Sequence, residues 1–216
     1  MVNLIEELVL LTIEDDGSVA YTAGGAGFRM SAIGACLVEL NQMGRIDADL
    51  DAVRVINREP TGHGALDLVL SEVVAGPEQD VRQWVRQLVP LASEVVRLAL
   101  ASLSLRGILR QEETRFLWVL KSRRYPVVDG SERKEAKLRI VSTLLSDEVP
   151  TPHDTVLIGL AHVGGVLEGF LSTAEIARLE SRIETIGGID LIARGVEAAL
   201  REEQEELART FIAPIC

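Results

Sequence analysis

Over most of this chain apolar residues recur at the three-to-four-residue spacing of helices, and alternation replaces that spacing in only two places. The first helical run, LIEELVLL from position 4, puts Leu4, Leu8 and Leu11 on one face, and Asn3 stands three residues before Glu6 in capping-box spacing. Asp15, Asp16 and Gly17 predict a turn, and residues 21–27, YTAGGAG, a flexible Gly/Ala-rich loop. Residues 31–43, SAIGACLVELNQM, are apolar on nearly every face and predict a buried helix closed by Gly44. In residues 45–57 the alternation around Val53, Val55 and Ile56 predicts a strand or short hairpin, ended by Pro60, Thr61 and Gly62.

The centre is helical. Residues 66–74 carry Leu66, Leu70 and Val73 inward; after Gly76 and Pro77 a second helix has Val81, Trp84, Val85 and Leu88 on one face. Pro90 starts or kinks a third, which runs through Val95, Leu98 and Leu103 to Arg106, with Gly107 as a left-handed cap. The period then changes. Residues 108–110 are a short strand, 111–114 a polar turn, and 115–121 alternate, with Phe116, Trp118 and Leu120 on one side and Arg115, Leu117, Val119 and Lys121 on the other. Residues 131–145 predict an amphipathic helix. Thr151 and Pro152 open another through Val156, Leu157, Leu160 and Ala161, with Leu167 and Phe170 beyond Gly164 and Gly165. Ser172 caps a helix to Ile186, and residues 189–212 form the last, with a solvated acidic face at Glu202, Glu203, Glu205 and Glu206. With no internal repeat or low-complexity linker, the expectation is mainly α: a single helical domain over residues 1–216 with a β-hairpin.

Charge changes this picture at one place. The chain carries −11, yet residues 105–126, LRGILRQEETRFLWVLKSRRYP, hold Arg106, Arg110, Arg115, Lys121, Arg123 and Arg124 against Glu112 and Glu113, a net of +4 that leaves −15 elsewhere. Such acidity argues against duplex DNA binding, which rests on summed phosphate neutralisation. The N-terminal run lacks a positive flank and a small-residue cleavage site and includes Glu6 and Glu7, so it does not read as a signal peptide. No run of about 18 uncharged apolar residues occurs, so a membrane contact is expected to be peripheral and the location cytoplasmic.

Candidate chemistry is sparse. His63, His153 and His162 include no pair at metal-binding helical spacing and read as structural, His162 bonding a neighbour and His63 sitting in a turn. Cys36 and Cys216 form no CxxC knuckle, and no GxSxG elbow, Walker pattern or GxGxxG occurs. The expectation is therefore no enzyme, no metal and no cofactor. For the basic stretch, three readings stand: an ordinary hairpin whose arginines pair with the acidic body, a winged-helix wing, or a membrane-facing hairpin in which Leu117, Trp118 or Val119 touches the interface. Each basic residue near an anionic surface contributes about 1 kcal/mol, enough in sum for reversible attachment.

Taken together, the segments EELVLLTIEDDG, GACLVELNQMGRI, PTGHGALDLVL, VRQWVRQL, LSLRGILRQEETRFLWVLKSRRYPV and DTVLIGLAHVGGVL, in that order, resemble the Golgi phosphoprotein 3 family. The resemblance implies a mostly helical domain with a protruding hydrophobic β-hairpin. It also implies, from eukaryotic members, binding of phosphatidylinositol 4-phosphate and gathering of glycosyltransferase tails. In lipid-binding members a loop Trp and a helix Arg help form the headgroup pocket, and those positions fall here at Gly24 and Ile33; a further pair of arginines falls at Ser93 and Val96. The four pocket side chains are thus replaced. Arg29, one turn before Ile33, and Arg97, next to Val96, are the nearest substitutes, with Arg106 a third headgroup candidate.

The sequence thus predicts a peripheral membrane adaptor. Phe116, Leu117, Trp118, Val119, Lys121, Arg123 and Arg124 form its contact hairpin, and an anionic phospholipid, phosphatidylinositol 4-phosphate included, is its ligand, with no nucleic acid partner. The alternative is a soluble module that kept the fold, lost lipid binding and uses the hairpin for a protein partner or self-association.

Overall fold

A computed structural model describes residues 2–20, 24–49, 51–116, 120–128 and 130–212. The helices are α1 (Leu4–Leu11), α2 (Ala26–Gln42), α3 (Gly64–Ala75), α4 (Val81–Leu88), α5 (Ala92–Leu105), α6 (Ser131–Leu145), α7 (Pro152–Val163), α8 (Thr173–Gly187) and α9 (Leu191–Ile212). Two antiparallel pairs interrupt them: β1 (Ile46–Ala48) with β2 (Val53–Val55), and β3 (Glu112–Phe116) with β4 (Leu120–Arg124). The protein is mainly helical with a small hairpin, as its periodicity predicts.

The caps explain several of these boundaries. Asn3 Oδ1 accepts from the Glu6 amide at 2.9 Å while the Asn3 amide donates to Glu6 Oε2 at 3.0 Å, so the capping box forms. Thr151 and Ser172 open α7 and α8 in the same manner, each accepting from the amide three residues on. Pro90 kinks the helical run, as expected: it sits in a 3-10 turn, Val89–Leu91, that separates α4 from α5. The segment Val81–Leu105 is long and apolar enough to cross a membrane by length and composition. That turn breaks it, and Trp84, Val85, Leu88, Ala92, Val95, Ala99 and Leu103 are all in the core.

One continuous apolar core joins the helices, and α2 runs through it. Residues Phe28, Ile33, Leu37 and Leu40 are fully buried, and the helix packs against α1, α3, α5, α7 and α9. An all-round apolar helix needs neighbours on every side, which is the arrangement observed. It begins at Ala26, five residues before the boundary its apolar run predicts, because the glycine loop is part of its packing: a Cβ on Gly27 would lie 2.2 Å from the Val163 carbonyl oxygen of α7. The glycines there allow a close approach between two helices, which periodicity does not register.

The second hairpin differs from expectation in register. The chain reverses between Phe116 and Leu120, not at residues 111–114: Glu112 pairs with Arg124, Glu113 with Arg123, Thr114 with Ser122, Arg115 with Lys121 and Phe116 with Leu120. Residues 115–121 are therefore not one strand. Polar residues fit a ladder away from the core, and acidic positions opposite basic ones favour this register, so the polarity of residues 111–114 does not mark a turn. Five pairs at about 3.4 Å carry the ribbon about 14 Å.

Its foot is embedded. Ile108, Leu109 and Tyr125 are buried, Leu109 bridges to Val127, and the Arg110 amide donates to the Pro126 carbonyl at 2.9 Å. Below it the Tyr125 amide donates to the carbonyl of Gly17, whose φ of +79° and whose closeness to Pro126, 2.6 Å from a hypothetical Cβ, both require glycine. Above the foot, β3 and β4 make substantial contact only with each other. The acidic face of α9 is also less solvated than expected. Glu202 pairs with Arg82 and Arg86 and Glu206 with Arg86, because α9 lies along α4.

Gly27→Ala should lower stability by about 1–3 kcal/mol through overpacking against the α7 backbone. Gly24→Ala, where a Cβ meets nothing within 4 Å, should change it little. Thermal melts of the two variants check the difference; equal midpoints would show that the α2–α7 approach is not tight.

Candidate functional site

Arg29 projects from the first turns of α2 toward α5, and between them lies a cavity of about 360 Å³. Gly24, Ser93 and Val96 line it with Arg29, and Val19, Ala20, Ala92 and Leu100 give it apolar walls. Three of the four positions that the family resemblance assigns to a headgroup pocket thus meet at one cavity. The fourth, Ile33, is fully buried in the core.

Arg29 is the one cationic side chain on that lining, and among the described residues it has no carboxylate partner; its Nε is buried without a hydrogen bond. A buried guanidinium donor without a partner is costly and favours an anion beside it. Next to the cavity-lining Gly24, the N-cap of α2 is Gly25, which provides no side-chain cap, so the positive end of a 17-residue helix adds to the same field. Arg97 and Arg106 do not join Arg29. Arg97 is exposed and bonds Glu94 on the outer face of α5, with Nε at 2.7 Å and Nη2 at 2.5 Å. Arg106, at the far end of α5, bonds Glu6 at 2.6 Å.

The hairpin residues divide similarly. Phe116 ends β3, and Lys121, Arg123 and Arg124 lie on β4. Leu117, Trp118 and Val119 lie outside the described residues. At the foot Arg124 is 3.5 Å from Asp16 and Arg110 is 4.0 Å from Glu112, both pairs well exposed. Exposed pairs of this kind are worth little and exchange readily for other anions.

What residue patterns did not reveal is the role of Glu6 and Glu7. Both are buried, at 1% and 3% exposure, inside a helix whose every residue is buried. Glu6 gathers the Asn3 amide, Ser102 Oγ at 2.6 Å, Arg106 and His63 Nε2 at 3.3 Å. Burial alone would raise its pKa, but the bonds from His63, Ser102 and Asn3 and the charge of Arg106 hold it down to about 2. Glu7 bonds Arg139 and His153, the latter at 2.6 Å, and Arg139 continues to Asp154 at 2.7 Å. Two adjacent carboxylates inside an otherwise apolar run, LIEELVLL, are the signal for such a network.

Two of the histidines are therefore structural, as expected. The third departs from expectation: His162 Nδ1 is buried and bonds no neighbour, because the helix around it supplies apolar side chains. Burial pushes the Cys36 thiol far above its ordinary pKa, which leaves it unreactive. Among the described residues no group of His, Cys, Asp or Glu is arranged to hold a metal ion.

Arg106→Ala should cost about 2–3 kcal/mol, the loss of a charge-assisted bond to a buried carboxylate. Arg110→Ala, whose partner is exposed, should stay within about 0.5 kcal/mol. Urea unfolding separates them, and an equally mild Arg106→Ala would show that Glu6 does not depend on it. The Glu7 bond raises the His153 pKa above 6.5, against burial and Arg139. The resulting stabilisation is full below the unfolded value and is lost as pH rises through the raised folded one. The stability gap between the native chain and His153→Gln should therefore be widest near about pH 5.5 and close toward about pH 9. A gap that widened with pH would contradict a protonated His153 in the fold.

A search of curated proteins returns no match. The family model for Golgi phosphoprotein 3 (GPP34), by contrast, matches residues 4–203. That span runs from the first residue of α1, through the cavity and the ribbon, into α9, and the chain belongs to the Golgi phosphoprotein 3 (GPP34) family.

Proposed function

We propose that this chain is a non-catalytic, peripheral membrane adaptor that meets an anionic phospholipid surface on the cytoplasmic face with its β3–β4 ribbon and takes one headgroup phosphate at Arg29. The observation that carries this reading is the ribbon itself. Among the described residues its strands make substantial contact only with each other; it is rooted in the core at Leu109 and Tyr125, and the sequence LWV lies between strands that end in Phe116 and begin at Leu120. A bulky apolar sequence with a Trp suits the interface of a bilayer, and the basic residues that flank it in sequence suit anionic headgroups. Arg110 and Arg124, in weak exposed pairs, are available for that exchange; Arg106, committed to Glu6, is not.

The cavity supports a ligand with one anionic group. A monoester phosphate is best gripped by several charge-assisted donors, whereas here one guanidinium, one helix end and Ser93 face a lining that is otherwise apolar. The reading is therefore an anionic phospholipid in general, with phosphatidylinositol 4-phosphate one member of the class and not preferred over phosphatidylglycerol.

Co-sedimentation with phosphatidylcholine vesicles, plain or containing phosphatidylglycerol or phosphatidylinositol 4-phosphate, tests it. Binding should need the anionic lipid, weaken with salt, and fall roughly tenfold on Trp118→Ala or Arg29→Ala, the loss expected for one anchoring aromatic or one charge-assisted contact. A protein that stays in the supernatant with every anionic vesicle at low salt would end the proposal. Oligomers that dissociate on Trp118→Ala without any lipid dependence would replace it with self-association through the ribbon.

A further inference from the structure

The cavity beside Arg29 has walls of a consistent chemical kind. Ala92, Val96 and Leu100 stand at positions i, i+4 and i+8 of α5, so their side chains form one stripe about 12 Å long, with Ser93 at its edge. Val19 and Ala20 supply a second apolar wall, and Gly24 and Arg29 the remaining side. Among the described residues no carboxylate lines the cavity, although the chain as a whole carries −11.

The single charge and the apolar walls select different parts of a ligand. Arg29 has no ion pair among the described residues, and its guanidinium is a planar fork that matches both oxygens of a carboxylate. A polyhydroxylated group such as inositol would set its hydroxyls against Val19, Val96 and Leu100, where only Ser93 offers a further side-chain partner, and unpaired hydroxyls in apolar contact are costly. An alkyl chain is favoured by the same contacts. The volume, about 360 Å³, is that of a small-molecule site.

We propose that this cavity binds a medium-chain fatty acid, with the carboxylate on Arg29 and the alkyl chain along Ala92, Val96 and Leu100. Water solvates the two halves of such a molecule unequally, and the cavity matches both at once. A fatty carboxylate and a headgroup phosphate would use the same guanidinium, so each excludes the other from Arg29. This rests on the reading of Arg29 as an anion site and does not involve the ribbon.

Octanoate is the probe, titrated by calorimetry into the full chain at low salt and without vesicles. One saturable site is expected, with affinity rising about tenfold for each two carbons from butanoate through hexanoate to octanoate as more of the chain is buried. Arg29→Gln should weaken octanoate about tenfold or more, the loss of one charge-assisted contact, and should fold because it breaks no ion pair. Arg97→Gln, which alters only an exposed pair off the cavity, should bind as the native chain does. Hexanol should bind about tenfold more weakly than hexanoate, and inositol monophosphate about tenfold more weakly than octanoate. Inositol monophosphate that bound as tightly as octanoate would overturn the fatty-acid site and leave Arg29 to the lipid headgroup. Binding by neither anion would remove Arg29 as an anion site, whatever the ribbon does at a vesicle. Affinity independent of chain length, or equal binding by Arg29→Gln, would also overturn the site.

Discussion

Two adjacent buried carboxylates hold this fold in one arrangement. A charge buried in an apolar core is tolerated only with donors around it, and α1 carries two, Glu6 and Glu7. No donor for Glu7 lies on α1, and Glu6 has only Asn3 nearby. The rest come from the start of α3 (His63), the end of α5 (Ser102 and Arg106), α6 (Arg139) and α7 (His153). The apolar surfaces of these helices could pack in several registers, since hydrophobic burial has no direction. Hydrogen bonds to a carboxylate do have direction, and an arrangement that left Glu6 or Glu7 unpaired would be strongly disfavoured. The network thus selects which of the compact states is native, while α2, buried along its length, supplies much of the area that makes any compact state favourable.

That division also separates the body from the ribbon. Arg106 belongs to the carboxylate network, Gly107 turns the chain at φ +74°, and within two residues Ile108 and Leu109 anchor the base of β3. The base is as firmly held as the core, and among the described residues the two strands above it make substantial contact only with each other. A contact element rooted in this way keeps its direction relative to the body. The same logic accounts for the arginines: a count of basic residues over positions 105–126 treats them alike, but burial of the partner separates Arg106, which is committed, from Arg110 and Arg124, which are in weak surface pairs.

Helix existence was legible in the chain to the extent that helices are amphipathic or capped: Leu66, Leu70 and Val73 face inward as their spacing says, and the Asn3 and Ser172 caps form. Three things were not legible, each for a physical reason. The start of α2 is set by a contact between Gly27 and the Val163 carbonyl, which is long-range and leaves no periodic trace. The reversal between Phe116 and Leu120 is set by cross-strand pairing of β3 with β4, which alternation along one segment does not register. Glu6 and Glu7 have the composition of surface residues, and only their apolar flanks indicate otherwise. Of the family positions, Gly24, Ser93 and Val96 line one cavity together with Arg29, whereas Ile33 lies in the core. Arg97 was not, because residues adjacent on a helix point about 100° apart.

The free-standing ribbon has a consequence for how the molecule travels. Its residues Glu112–Arg124 hold four basic side chains against two acidic ones, a net of +2 carried outward from a body of −13, so the protein is an electric dipole with its positive pole at one end of a lever about 14 Å long. Near a negatively charged surface the body is pushed away and the ribbon drawn in, which turns the whole molecule ribbon-first before any contact is made. Orientation by torque narrows the rotational search that limits most encounters, and its benefit appears in the rate of arrival more than in the strength of the final attachment.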